Sequence, residues 1–373
     1  MFLAMKELMH SKMKFSMITI IFVLIAWLVF ILSGLGTGLS TLAASTFKTM
    51  KADYVVFEEG SQSSMSKSLL SEQLLAELEL LPNVSAAAPM GSTMATALKG
   101  QGAKNEDKID IAIIGINPGS FLEPAIVEGK GLTSENSTGV LVNSTMKDEG
   151  YSLGDTFQLD GTTESLTIIG FVKDQTYNHV ASVFTPMEEW RKISFAAPGS
   201  DKGVPGPVNA IMLQGKDIDP EVMNSHLSGT DTVTRAGAVQ GMPGYKEENG
   251  TILMMLAFLL AISAFVLGVF FYVITMQKIN QFGIMKAIGA SNKFLGKAIV
   301  SQVFIISLTS IVIGILLTYG TAAIMPKGMP FKLETNLVVT YSVILLIIAV
   351  LSSMVSVRKI TKIDPLQALG RVE

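Results

Sequence analysis

The sequence has 373 residues, of which 49% are hydrophobic and 16% charged, with a formal net charge of −3. Its mean hydropathy is positive, and so apolar a composition with so few charges excludes an ordinary soluble domain, in which about a quarter of residues are charged. There is no cysteine, so no disulfide can hold a domain outside the membrane, which must rest on an ordinary core.

The first segment, "MFLAMKELMHSKMK", sets Phe2, Leu3, Met5, Met9 and Met13 among Lys6, Glu7, His10 and Lys12. This pattern predicts an amphipathic helix over 1–13 lying on the cytoplasmic membrane surface. The apolar run that follows is longer than the roughly 20 residues needed to cross a bilayer. It also exceeds the apolar region of about 7–15 residues of a secretory signal, so a retained anchor is expected. "STLAASTFKTMK" carries this helix on as a stalk, giving a first span and stalk over 14–50.

Residues 51–250 predict a domain of strands and short helices. "DYVVF", "DIAIIGI", "GVLV", "DTFQL", "SLTIIGFV" and "VNAIML" read as strands, being alternating or apolar runs with β-branched and aromatic residues. "SEQLLAELELL" reads as an amphipathic helix with Ser71 as N-cap, and "TPMEEWRKI" and "DPEVMNSHL" as further short helices. The loop "APGSDKGVPGP" is expected to divide two lobes.

Further apolar runs predict helix 2 over 251–276, helix 3 over 298–325 and helix 4 over 337–357. Between them lie a segment at 277–297, a short external loop at 326–336 and a C-terminus at 358–373. The stretch 41–250 holds 15 Lys+Arg and 27 Asp+Glu, against 13 and 4 elsewhere. Eleven of those 13 cations flank the spans on one side, which by the positive-inside rule is the cytoplasm. The fold expected is a membrane protein with four transmembrane α-helices and an α+β extracytoplasmic domain inserted between helices 1 and 2. It is multi-pass in the cell membrane, both termini cytoplasmic and the large domain extracellular.

No chemistry of its own is legible. GxxxxGK[ST], HExxH and GxSxG are missing, and His10, His179 and His226 have no metal-ligand spacing. The spans hold almost no ionisable residue, which argues against a proton relay or ion-coupled carrier. An enzyme is therefore not expected, and the energy for any transport must come from a partner.

Between helices 2 and 3 stands "FGIMKAIGASNKFLGKAIVSQ", and near the C-terminus "KITKIDPLQAL". With the layout of the whole chain, these resemble the FtsX/MacB-like permeases of ABC transporters. The resemblance implies a dimer with a second copy of the chain, two copies of a separate cytoplasmic ATPase, and a coupling helix at 277–297. Phe282, Ile284, Met285 and Ile288 can supply its apolar contacts, and Gly283, Gly289 and Ala290 close approach. Lys286 and Lys293 can meet phosphates or an acidic partner surface. Ala287 and Ser291 complete the segment.

"FFYVITMQKINQFGIMKAIG", "MKELMHSKMKF" and "DYVV" are similar to the permeases of haem-regulated transport systems. That resemblance implies haem as exported substrate, membrane lipid as its source, and ATP used only through the partner; no intrinsic cofactor and no nucleic acid are expected. Haem capture needs an axial ligand, an apolar slot and partners for the propionates. Tyr177 and His179 in "DQTYNHV" share one side if extended. Tyr245, Glu247 and Glu248 in "GYKEEN" lead into helix 2, Glu58 and Glu59 are expected near the top of the stalk, and Met242 is a soft ligand. The alternatives are a mechanotransmitter, an exporter of lipids, lipoproteins or antimicrobial peptides, or a membrane-anchored receptor.

Overall fold

The structure is a computed structural model that describes residues 12–99, 108–162, 165–326 and 328–361. Residues 1–11 of the expected surface helix and the motif "DPLQAL" lie outside the described residues. The chain forms two compact units, Met1–Gly38 with Asn249–Glu373, and Leu39–Glu248.

Helix α1 (Lys12–Thr49) carries the first apolar run. A backbone within lipid must satisfy its polar groups internally, which makes helix the available form. Its regular dihedrals break at Ala44 (φ −139°, ψ 17°), inside the stalk.

The Leu39–Glu248 unit is built on one mixed sheet. Its elements in chain order are β1 (Tyr54–Glu58), β2 (Leu70–Ser71), α2 (Leu74–Glu79), β3 (Val84–Leu98), β4 (Lys108–Ile116), β5 (Ile126–Gly129), β6 (Gly139–Asn143) and β7 (Thr156–Leu159). They continue with β8 (Ser165–Val172), β9 (Thr176–Tyr177), β10 (Val180–Pro186), α3 (Met187–Ser194), β11 (Pro207–Val208), β12 (Ala210–Gly215), α4 (Pro220–His226), β13 (Thr230–Thr234) and α5 (Arg235–Gln240). The strand order is β13-β1-β12-β3-β4-β10-β6-β8-β5, with β7 joined to β3 and β8, and β9 to β10; β2 and β11 form a separate ribbon. β4 and β10 run parallel, as do β6 and β8.

Period-two alternation sorts the strand side chains into two cores. Val55, Phe57, Ala112, Ile114 and Met212 pack with Phe47 and Met50 from the stalk end of α1. Val56, Ile111, Ile113, Ile211 and Leu213 pack on the opposite face with Leu78 of α2 and Trp190 of α3. Because both faces are covered, "DIAIIGI" is apolar without alternation.

Two sequence expectations change. The loop before β11 does not divide lobes, since β12 returns between β1 and β3 of the same sheet. Ser71 is not an N-cap: it lies in β2, and its hydroxyl donates to the Pro205 carbonyl at 2.7 Å and accepts from the Gln73 N–H at 3.2 Å. By contrast, Asp219 caps α4, its side chain accepting from the Glu221 N–H, with Pro220 at the first helical position.

The second unit completes the helices: α6 (Tyr245–Gln277), α7 (Ile279–Ala287), α8 (Asn292–Ile324) and α9 (Thr335–Thr361). Four of them, α1, α6, α8 and α9, are long and apolar enough to cross a membrane. They pack through small and hydroxyl side chains, as expected where lipid removes the hydrophobic incentive between helices. A Cβ on Gly314 would lie 2.9 Å from that of Ala26, Trp27 Nε1 donates to Thr321 Oγ1 at 3.0 Å, and Ser310 Oγ donates to the Thr19 carbonyl at 3.3 Å.

Trp190 sits on a window made by two glycines. Gly91 of β3 and Gly115 of β4 are cross-strand partners, and a Cβ on either would lie 2.3 or 2.5 Å from the Trp190 side chain. The indole is 1% exposed, and its Nε1 donates to Thr93 Oγ1 at 3.1 Å. In a Trp27→Phe background, which leaves Trp190 as the only emitter, Gly115→Val is expected to red-shift the fluorescence. It should also destabilise this unit by about 1–3 kcal/mol, an overpacking cost. Unchanged emission and melting would show that the window does not seat the ring.

Candidate functional site

The site is organised by the β9–β10 hairpin. Its two-residue loop, Asn178 and His179, has φ of 49° and 69°, the left-handed pair typical of tight hairpin turns and favourable for Asn in first place. Tyr177 pairs with Val180 across it. The turn overturns the one-sided placement of Tyr177 and His179, which assumed an extended segment. Tyr177 is 5% exposed and stacks near Phe47, with ring centroids 6.0 Å apart, whereas the His179 side chain is 39% exposed.

Buried hydroxyls fasten this hairpin to the stalk end of α1. Ser45 Oγ donates to the Asp174 carbonyl at 2.6 Å and accepts from the Thr176 N–H at 2.8 Å, while Thr46 and Ser182 share a 2.8 Å hydroxyl contact. Thr176 Oγ1 donates to the Thr41 carbonyl at 3.1 Å. At the turn, the Asn178 and His179 N–H groups donate to the Ala43 and Leu42 carbonyls at 2.8 and 3.3 Å. These two carbonyls immediately precede the kink at Ala44, where the helical ladder is interrupted.

The first turn of α6 meets the same assembly. Tyr245 and Glu248 are three residues apart, so they share a helix face. The Tyr245 hydroxyl lies 2.8 Å from Ser40 Oγ, and Lys48 Nζ donates to Ser40 Oγ at 2.6 Å and to its carbonyl at 2.9 Å. That ammonium stands 5.2 Å from the Tyr245 ring centroid. Glu248 Oε2 lies 3.5 Å from His179 Nε2.

Of the residues expected from sequence, His179, Tyr245 and Glu248 come together on the outer side of this junction. Tyr177 and Met242 join them on the inner side, in one apolar cluster with Tyr245 and Phe47. Burial pushes the Tyr177 phenol above its ordinary pKa, against a smaller opposing effect of a hydrogen bond with Ser92. Glu58 and Glu59 do not belong: β1 starts beside the stalk and carries them to its far end. There Glu58 receives the Leu69 N–H at 3.0 Å, and Glu59 lines a different cleft with Asn224 and Asp231. Sequence reasoning missed Ser40 and Lys48. Lys48, a lone cation in the last turn of an apolar helix, was the available signal.

The segment between α6 and α8 forms a separate site. The inner face of α7 carries Phe282, 2% exposed and packed with Phe15 and Leu295, and Met285. Its outer face carries Ile284 and Ile288, 51% and 81% exposed, followed by Phe294 at 50%. Gly289 has φ of 101°, and a Cβ there would meet nothing within 4 Å. Its role is therefore not close packing, as expected from sequence, but the left-handed turn that ends α7. The Ala290 N–H donates to the Met285 carbonyl at 2.9 Å and the Gly289 N–H to that of Lys286 at 3.0 Å, which together form a Schellman motif. Ser291 then caps α8, its hydroxyl accepting from the Phe294 N–H.

The MacB-like periplasmic core domain model matches residues 16–223, and the FtsX-like permease C-terminal model residues 253–365. The chain belongs to the FtsX/MacB-like permeases. It is thus an ABC transporter permease and a multi-pass membrane protein with an extracytoplasmic domain. A Staphylococcus haemolyticus protein, provisionally named hemin transport system permease protein HrtB, is 26% identical over 371 residues, covering 100% of this chain and 99% of that protein. An uncharacterised ABC transporter permease of Mycobacterium tuberculosis is 24% identical over 374 residues, covering 99% of each. The extracellular domain of the noncanonic ABC-type transporter YknZ from Gram-positive bacteria aligns with a TM-score of 0.34 and 15% identity, covering 48% of this chain and 98% of that one.

Replacing Ser45 by Ala in this permease leaves the buried Thr176 N–H without its acceptor. The expected cost is about 1–3 kcal/mol, with faster amide exchange across β9 and β10. Exchange that stays at the wild-type rate would show that the hairpin is held by packing instead.

Proposed function

We propose that this permease is the membrane subunit of an efflux transporter that takes haem from the bilayer and releases it outside. Two copies of the chain act with two copies of a cytoplasmic ATPase, and both termini and the α7 segment face the cytoplasm. End-to-end similarity to relatives named for hemin transport supports the cargo, and the basic flanks of the spans support the orientation. The observation that carries the reading is the convergence of His179, Tyr245 and Glu248 where the stalk, the β9–β10 turn and the start of α6 meet.

In this reading the exposed His179 ring offers the first iron ligand. Tyr245, 7% exposed, becomes available only when its contact with Ser40 opens. Cargo binding and separation of α6 from the stalk are then one event. ATP-driven movement reaches the spans through α7, whose inner face is fixed by Phe282 and whose outer face, Ile284 and Ile288, docks on the ATPase.

The buried hydroxyl staple also favours a second reading, that of a mechanotransmitter driving a partner of the external domain. Haemin decides between them. Purified full-length permease mixed with haemin should show a Soret shift that weakens about tenfold in affinity, an effect on the scale of one lost ligand or charged hydrogen bond, in His179→Ala and Tyr245→Phe. Spectra unaltered by these changes and by Tyr177→Phe would refute the ligand set.

Coupling has its own test. A β-branched residue at the Gly289 backbone conformation costs on the order of 1–3 kcal/mol in strain, so Gly289→Val should distort the turn between α7 and α8. Haemin-stimulated ATP hydrolysis by the reconstituted complex is expected to fall to its unstimulated level, with normal amounts of permease in the membrane. Full stimulation would remove α7 as the coupling element.

A further inference from the structure

Beside the Tyr245 junction, and wholly within the Leu39–Glu248 unit, lies a cleft of about 460 Å³ lined by Lys48, Arg235 and Asp53 together with Tyr245, Ala236 and Val239. This volume is in the range of small-molecule sites, about 300–1,000 Å³. The lining combines two cations with an aromatic ring and two aliphatic side chains, the Lys48 ammonium standing 5.2 Å from the Tyr245 ring centroid.

The cations are held in place by neutral groups. Among the described residues Lys48 donates to Ser40, at its hydroxyl and carbonyl. Arg235 Nη1 donates to the Met50 carbonyl at 2.5 Å, and its backbone N–H to the Asp53 carbonyl at 2.9 Å. Among the described residues neither cation has a carboxylate within ion-pair distance. A guanidinium has five N–H donors, so most of those of Arg235 remain available. The one lining carboxylate, Asp53, is engaged through Oδ2 by the Gly215 N–H at 3.0 Å. The cleft therefore keeps a net positive charge beside an apolar wall, with a planar fork suited to two-point binding of an oxyanion.

We propose that this cleft clamps the anionic end of an amphiphile, a carboxylate or phosphate held between Lys48 and Arg235 with its apolar part on the Tyr245 ring, Ala236 and Val239. Identifying the anion as a haem propionate rests on the haem reading above; the clamp itself does not. It recognises charge and not metal, and of the residues proposed as iron ligands it shares only Tyr245, through the face of its ring.

The test uses full-length permease in nanodiscs with three probes: haemin, haemin dimethyl ester, whose propionates are neutralised, and spin-labelled phosphatidylglycerol in a phosphatidylcholine bilayer. Variants are Lys48→Met, Arg235→Met and Arg235→Lys, with melting curves to confirm folding; if Arg235→Met fails to fold, Lys48→Met carries the test. Haemin affinity is expected to fall about tenfold or more in the Met variants, the scale of a lost charge-assisted contact. Arg235→Lys should restore part of it, and the dimethyl ester should bind wild type and variants equally weakly. If haemin gives its Soret shift in all proteins with equal affinity, and the spin label is equally mobile in all, the clamp is overturned while the haem reading stands. If haemin gives no shift even in wild type, the haem reading fails. The clamp then survives only if spin-labelled phosphatidylglycerol is immobilised by wild type and released by the Met variants.

Discussion

Ser45 and Thr46 tie the end of α1 to the external sheet through hydroxyls that water does not reach, and the site depends on that tie. Ser45, Thr46, Thr176 and Ser182 are all 6% exposed or less. Apolar contacts can slip by an ångström at little cost, but a buried hydroxyl that loses its partner pays its full desolvation. The contact is therefore specific in register. It fixes the β9–β10 turn, which points Tyr177 inward and His179 outward, and it leaves Ser40 and Lys48 arrayed around Tyr245. Remove the tie, and the candidate residues become unrelated side chains on separate elements.

The helical unit follows a complementary rule. Its apolar stretches hold almost no ionisable group, and helices approach through Gly314, Ala26 and hydroxyl contacts such as Ser310 with Thr19. At one end the α7 turn is built from backbone hydrogen bonds of a Schellman motif and the Ser291 cap. Such closed backbone geometry resists deformation better than a plain loop. A push on Ile284 or Ile288 would therefore be passed to Phe282 and the bundle core instead of being absorbed in a flexible link.

The spans were legible because twenty apolar residues have few alternatives in a chain, and the short helix in "DPEVMNSHL" because Asp followed by Pro suits a helix start. The longest strand, β3, was not read. "VSAAAPMGSTMATAL" has small side chains with no strong period or β-propensity, and it is a strand because β12 and β4 pair with it on both sides. Tyr177 and His179 were placed by the wrong backbone: a two-residue reversal inverts the side-chain alternation that an extended reading assumes. Glu58 and Glu59 show the same limit, since nothing in composition tells which way a strand runs from the stalk. Arg235 and Lys48 stand 187 positions apart, and only the packing of β13 beside β1 brings them to one cleft.

These features constrain the kind of cargo more than its name. A hydrophilic or ionic solute crossing between the spans would need polar groups at membrane depth, where each charge is expensive. A molecule already dissolved in the bilayer needs none. Its apolar body can travel along lipid-facing helices, and the work lies in drawing its polar end away from the interface. The groups proposed for that step lie in the external unit: an imidazole beside a carboxylate at His179 and Glu248, and two cations beside an aromatic ring in the Lys48 cleft. Both sets include a residue from the first turn of α6, so under the proposed reading one helical turn would serve ligand and clamp together.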